Sequence, residues 1–269
     1  MTQTGTDRHP NKDVFDRHLR EMPLHRAVLR SVEAKFMGEV PFVHPVLDIG
    51  IGDGHFASVA YNEPIDVGVD ILWSDLIEAA HRPGTYRHTA QASGMQIPFR
   101  TGAFNTVLSN CVIEHIPDLD LTLSEIARVL APGGTFATTL PSEHFPDYLL
   151  GSTILRNVGL GSLAKSYGDF FNRISHHFHV HPPEFWKTKL AEHGLEVVQH
   201  TYYFSAAAHR AFDLSHYLSV PNLITRGLTR KWVLHPAQMR PFGAWLRQYY
   251  EEPIPAVGAY QFVRCVRTT

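Results

Sequence analysis

Asp48, Gly50, Gly52, Gly54 and Asp70 have the types and spacing for ligand chemistry. Asp48 lies in the apolar run Val46-Leu47-Asp48-Ile49, and Gly50, Gly52 and Gly54 follow it at every second position. An apolar run that stops at a glycine turn reads as a buried strand. Glycines carry the backbone through positive φ and let a ligand approach the main chain closely. His55 to Ala60 can open a helix, so the unit is strand, glycine loop, helix. That arrangement aims backbone N–H groups at a ligand. A second run, Ile65-Asp66-Val67-Gly68-Val69-Asp70, also ends in an acid, 22 positions after Asp48. In a Rossmann-like fold a carboxylate there grips ribose hydroxyls, its two acceptor oxygens matching two adjacent donors. A dinucleotide fingerprint would need glycine or alanine at 55. His55 stands there and argues against a nicotinamide cofactor.

The elements that must position these residues follow from periodicity. Residues 1–12 read as disordered. Two short helices are expected between Asp13 and Met37, with Phe15 and Leu19 on one face and Leu24, Ala27, Val28 and Val32 on another. Strands are expected at 45–49, 65–70, near 86–89, and at 104–110, 135–140, 195–204 and 258–266. Leu123, Ile126, Ala127 and Leu130 mark a helix that stops at Ala131-Pro132-Gly133-Gly134. A further helix runs from Pro183 to His193. Strands alternating with helices imply a sheet with helices on both faces. The reading is an α/β Rossmann-like seven-stranded mixed sheet with N-terminal helices and a helical cap before the last strand. It divides into an N-terminal helical segment (1–40), a core (41–204), a cap insertion (205–257) and a last strand (258–269). Within the core, 141–182 is read as an irregular excursion with short helices on the substrate side, because its glycines interrupt the apolar pattern.

Beyond the glycine loop, Ile97-Pro98-Phe99, Phe104-Asn105-Thr106-Val107, Glu114-His115-Ile116-Pro117 and Arg128-Val129-Leu130-Ala131-Pro132-Gly133-Gly134 follow in order. Together these motifs resemble class I S-adenosylmethionine-dependent methyltransferases of the small-molecule "type 11" group, over roughly residues 43–141. The resemblance implies S-adenosylmethionine as cofactor and an antiparallel last strand. It implies that Gly50, Gly52 and Gly54 wrap the methionine part of the cofactor, with Asp48 helping to hold its ammonium. Asp70 would take the ribose and Ile71 would pack on adenine. Ser93 stands where relatives usually carry an acid for the adenine amino group, and the Gly94 N–H could reach a ring nitrogen. Asn110 and Cys111 would lie beneath the reacting methyl. Asn105 departs from the aspartate usual after that phenylalanine.

A sulfonium-bound methyl is already electrophilic, so a general base is needed only for a hydroxyl or carbon acceptor. Histidine suits that role near neutral pH. Of the 18 histidines, His115, His144 and His177 are the base candidates. His177, His179 and His181 alternate, so an extended segment would put them on one face. No carboxylate or cysteine beside them completes a metal set, and no metal is expected.

Composition bounds the rest. Hydrophobic residues make up 44% and charged residues 19% of 269, ordinary for a globular chain with a real core. A net charge of −2 and the absence of an RNA-binding module argue against nucleic acid as partner. Two cysteines form no disulfide framework, which fits a reducing cytoplasm. The polar N-terminus has no signal-peptide pattern, and no run of about 18 apolar residues appears. The expected activity is biosynthetic methyl transfer to an oxygen, nitrogen or carbon of a small, aromatic or apolar acceptor. A lipid or lipid-linked acceptor and a non-catalytic binding module are the alternatives. The aromatic and basic residues of 205–257 suit a substrate cap, a homodimer interface or a membrane-surface contact.

Overall fold

The computed structural model describes residues 14–268. The expectation of disorder at 1–12 lies outside them. Seven strands form one sheet: β1 (Val46–Ile49), β2 (Ile65–Asp70), β3 (Tyr86–Gln91), β4 (Phe104–Asn110), β5 (Leu130–Pro141), β6 (Leu195–Tyr203) and β7 (Tyr260–Arg267). Their order is β3-β2-β1-β4-β5-β7-β6. Strands β1 to β5 pair in parallel, and β7 runs antiparallel between β5 and β6. This is the mixed sheet expected. All four residues of β1 are buried, because helices cover both faces of this central strand.

The helices are α1 (Val14–Glu21), α2 (Leu24–Met37), α3 (His55–Ala60), α4 (Trp73–Ala80), α5 (Leu119–Val129), α6 (Phe145–Tyr148), α7 (Leu150–Asn157), α8 (Gly161–Ile174), α9 (Pro183–Glu192), α10 (Ala206–Leu218), α11 (Val220–Thr229) and α12 (Arg240–Glu251). One core, holding Leu123 and Ile126 of α5 with Trp186 and Leu190 of α9, covers one face of the sheet. A second gathers Phe15, Val28, Phe36, Phe212 and Leu246 from α1, α2, α10 and α12 over the other.

Three features differ from the sequence reading. The fifth strand starts at Leu130 rather than Thr135: Phe104 pairs with Leu130 and Thr106 already with Thr135, so Ala131 to Gly134 form a bulge inside the ladder. Helix α4 was not anticipated. The stretch 141–181 holds the short helices expected, but it is less irregular than read, with α6, α7 and α8 following closely on one another. Its helical glycines mark close approaches instead of breaks. A Cβ on Gly151 would sit 2.4 Å from the Tyr167 ring, and one on Gly168 would sit 2.7 Å from Pro146.

The N-terminal helices and the 205–257 insertion pack as one layer. The Leu24 N–H donates to Ser219 Oγ at 3.1 Å, and the rings of His25 and His216 stack 3.9 Å apart. Phe15 stacks on Tyr250 at 5.6 Å, and Arg247 reaches Asp16 at 2.7 Å.

Candidate functional site

The register of the sheet gathers the chemistry-bearing residues at one edge. Ile49 of β1 lies level with Val69 of β2 and Ser109 of β4, so Gly50, Asp70 and Asn110 leave the sheet side by side. Gly50, Gly52 and Gly54 all take positive φ, at 73°, 53° and 71°. At Gly50 the need for glycine is also spatial: a Cβ there would meet Val112 at 2.4 Å. Asp70 braces the loop, accepting from Gly52 N at 2.8 Å through Oδ2 and from Leu72 N at 2.9 Å through Oδ1. Each oxygen keeps a lone pair for a further donor.

Two cavities meet at this edge. The larger, ≈ 370 Å³, runs along Asp48, Gly50, Gly52, Asp70, Asn110 and Cys111 and is walled on its far side by Met22, Arg30, Phe56, Arg226 and Trp232. The smaller, ≈ 230 Å³, is an apolar slot between Ile71, Ser93, Gly94 and Met95 on one side and Val112, His115 and Ile116 on the other. Gly50, Asp70 and Val112 line both. All ten residues assigned to the cofactor from the sequence, except Gly54, therefore face one of the two cavities. Gly54 instead sits under the start of α3, where a Cβ would press on Ala79 at 3.1 Å. Ile71 is 63% exposed, a large apolar side chain left open above the slot. Ser93 Oγ accepts from Met95 N at 3.2 Å and so shapes the turn that forms the slot's floor.

The electrostatics suit a ligand that is cationic at one end. Asp48 is buried beneath the loop, and Tyr86 donates to its Oδ2 at 2.8 Å. Burial, with the Asp70 charge nearby, pushes the Asp48 carboxyl up to about 7. A bound ammonium would hold it ionised. A sulfonium–amino acid nucleoside meets each part of this site: left-handed glycines for close approach, a carboxylate beside them, a two-oxygen acceptor at Asp70 and an apolar slot beyond.

Behind Asn110 and Cys111 lies a network the sequence reading missed. Glu33 of α2 is fully buried and accepts from Arg30 Nη1 at 2.5 Å, Asn110 Nδ2 at 2.8 Å and Cys111 Sγ at 3.2 Å. The signal was present in principle. Arg26, Arg30 and Glu33 recur at i, i+4 and i+7, a charged stripe on one face of a helix that also carries the apolar residues Leu24, Ala27, Val28, Val32 and Phe36. Met22, Phe56, Tyr86 and Trp232 were not singled out for this wall either, since only packing brings them to it.

The three histidine candidates part company. His115 lines the apolar slot, and burial holds its imidazole below the usual range. His177 lies beside it, ring centroids 5.2 Å apart, and burial, with His115 next to it, drives it down to about 3. His144 faces elsewhere: it stacks on Tyr148 at 5.2 Å and contacts Glu143 at 3.2 Å, and it lines neither cavity. The alternating histidines do not share one ligand face. His179 Nε2 meets Ile116 O at 2.9 Å, and His181 stacks on Phe185 at 3.8 Å. A carboxylate does reach His115 and His177, from Glu114: a ligand-type atom from each of the three lies within 4.8 Å of the others. Glu114 is 1% exposed, its Oε2 has no partner, and burial pushes it up to about 8. His115 Nε2 lies 3.7 Å from Glu114 Oε1, beyond hydrogen-bond reach, so the three groups face one another without a bond between them.

Known proteins share this architecture. A malonyl-[acyl-carrier protein] O-methyltransferase of Legionella pneumophila is 32% identical over 108 residues, 38% of this chain and 38% of that one. The aligned stretch thus spans well under half the length of that relative. Among solved structures, a possible histamine N-methyltransferase from Thermotoga maritima superposes with a TM-score of 0.55 at 17% identity, covering 91% of this chain and 92% of the other. The geranyl diphosphate C-methyltransferase of Streptomyces coelicolor, solved with Mg2+, geranyl-S-thiolodiphosphate and S-adenosyl-L-homocysteine, superposes at 0.54 with 16% identity, over 88% of this chain and 76% of that one. At such identities the superpositions establish the fold. A family model described as a methyltransferase domain matches residues 15–200, well over half the chain. With that match, and with the glycine loop, Asp70 and Asn110 gathered at one sheet edge, the chain belongs to the class I S-adenosylmethionine-dependent methyltransferases.

Proposed function

We propose that the chain transfers the methyl group of S-adenosylmethionine to an oxygen, nitrogen or carbon of a small organic acceptor with apolar or aromatic character. The observation that carries this reading is the pair of joined cavities: one apolar and slot-shaped, one polar along the glycine loop and walled by Met22, Phe56 and Trp232. Bound, the cofactor supplies a methyl already activated by a sulfonium. The protein's own part is to hold, align and exclude water. Gly50 and Gly52 give the close backbone approach, Asp48 faces the ammonium and Asp70 the ribose hydroxyls. Ile71, Ser93 and Gly94 hold the adenine, and Asn110 and Cys111 support the reacting end. Cys111 accepts this place as a packed thiol: burial pushes it far above its ordinary range, so it is no nucleophile at neutral pH. Of the histidines, His115 lines the slot and is the one placed to take a proton leaving the acceptor, while His177 stands behind it, its basicity lowered by burial. His144 reaches that proton only through movement of α6.

Calorimetry with S-adenosylmethionine, S-adenosylhomocysteine and NADH tests the cofactor reading: the first two bind and NADH does not. Mass-resolved product analysis over small aromatic, apolar and lipid acceptors tests the rest. Tight cofactor binding with no methylated product from any class would instead favour a binding module.

A further inference from the structure

Helix α11 is packed the opposite way to an ordinary surface helix. A helix on a globular surface turns its apolar stripe to the core. In α11 no residue is buried. Val220, Leu223, Ile224 and Leu228 recur at i, i+3, i+4 and i+8, and all are exposed, Leu228 to 82%. The polar side is what ties the helix down. Asn222 Nδ2 donates to Trp232 O at 2.7 Å, and Arg226 Nη2 reaches both Glu78 oxygens at 3.0 Å. Its guanidinium also lies 5.3 Å over the Trp232 ring. Leu218 and Leu234 leave further apolar surface on either side.

The charge around this stripe has one sign. Residues 214–250 hold Arg226, Arg230, Lys231, Arg240 and Arg247 and not one aspartate or glutamate. Arg226 is committed to Glu78 and Arg247 to Asp16. Arg230 and Lys231 are exposed. They stand at a groove of ≈ 330 Å³ lined by five basic side chains, with Arg20, Arg82 and Arg226 the others, against the three acids Glu21, Asp53 and Glu78, so the basic residues are in excess. Arg82 is paired with Glu21. The groove shares Met22, Asp53, Arg226 and Trp232 with the cofactor cavity.

We infer that α11 and the Arg230–Lys231 corner dock the chain on an anionic lipid surface. The apolar stripe enters the boundary between headgroups and acyl chains, and lipid phosphates meet the basic groove. An apolar helix face with a basic rim is what interfacial binding requires. A second copy of the chain fits less well. A two-fold contact would set the stripe against itself. It would also bring Arg230 and Lys231 towards their own copies, in a segment without an acid. A ten-residue helix, about 15 Å long, also offers far less than the ~800 Å² per partner of a stable interface. The consequence for chemistry rests on the methyl-transfer reading above: docking brings the Arg226–Trp232 wall of the cofactor cavity to the membrane, where a lipid or lipid-carried acceptor is delivered. The docking itself does not depend on that reading.

Flotation of the full chain with phosphatidylcholine vesicles, with and without phosphatidylserine, tests it. The chain should float with the anionic vesicles and release partly at high salt. The double variant Leu223→Asp/Ile224→Asp should stay at the bottom. Arg230→Ser/Lys231→Ser should lower partitioning roughly 25-fold, about fivefold for each cation near the surface. Both variants should bind S-adenosylmethionine in calorimetry as the parent does, which shows that they fold. Equal flotation with neutral and anionic vesicles, or none with either, overturns the inference. So does a dimer in light scattering that Leu223→Asp/Ile224→Asp dissolves in a chain that never floats. Flotation that follows the variants, together with no methyl transfer to any acceptor, upholds the docking and sinks the methyl-transfer reading separately.

Discussion

The sheet edge that faces the cofactor and the helical layer that closes over it are built by different rules. At the edge, each functional group lies within a few residues of a strand end. Asp48 and Gly50 follow β1, Asp70 closes β2, and Asn110 closes β4. Parallel pairing then sets them level with no further choice. The layer above comes from α1 and α2 and from α10 to α12, segments separated by most of the chain. They are joined by specific pairs such as Leu24–Ser219 and His25–His216. A ligand of constant shape is met by short local motifs.

The sharpest test of how the two regions are coupled is Glu33, which stands in α2 but bonds Asn110 and Cys111 at the edge. Glu33→Ala leaves Arg30, 18% exposed on the cavity wall, without its ion-pair partner and Asn110 and Cys111 without their acceptor, and should cost about 1–3 kcal/mol of stability in denaturant unfolding. Glu33→Gln, which keeps an acceptor for Asn110, should cost less. A loss below about 1 kcal/mol for the alanine variant would mean that the layer and the edge are energetically separate.

Asp70→Ala acts on the edge alone. It should weaken S-adenosylmethionine binding by about 1–3 kcal/mol in calorimetry, the worth of a hydrogen bond to a charged group. Unchanged affinity would remove Asp70 from the ribose site. The pH dependence of binding isolates Asp48. A carboxyl raised to about 7 by burial holds its proton more tightly folded than unfolded. The free protein therefore loses stability as pH rises from about 4 towards 7. A bound ammonium prefers the ionised form, so affinity runs the other way. It should fall as pH drops below 7, by up to about tenfold per unit. Asp48→Asn should flatten that slope. The smallest effect belongs to the upper layer. Arg226 and Glu78 are each about 30% exposed, and such a pair contributes roughly 0–1 kcal/mol. Arg226→Ala should leave cofactor affinity within about twofold while raising KM for the acceptor, and a cofactor defect as large as that of Asp70→Ala would erase the contrast between the regions.

The carboxyl edge was legible because its signals are local. Glycines at 50, 52 and 54 announce positive φ, and acids at 48 and 70 end apolar runs. Their distances along the chain match one strand–helix–strand step. The short helices of 141–181 were expected, but the stretch reads as more irregular than it is because Gly151 and Gly168 look like breaks, whereas each makes room for a ring from a neighbouring segment. Glu33 was overlooked because a buried acid reads as an error until its partners are known. Those partners, Asn110 and Cys111, lie 77 and 78 residues away.

By itself, then, the sequence determined the sheet, the glycine loop and the two acids beside it at the sheet edge. These depend on backbone conformation and on contacts a few residues long. Only the tertiary structure could decide three further points. His144 stands apart while His115 and His177 meet over Glu114. Glu33 ties Arg30 of the cavity wall to Asn110 and Cys111. Helix α11 shows its apolar stripe to solvent. Periodicity reveals that a helix has an apolar face, but which way that face turns depends on what else competes for the core. Here Asn222 and Arg226 hold the polar side inward, and the leucines are left outside.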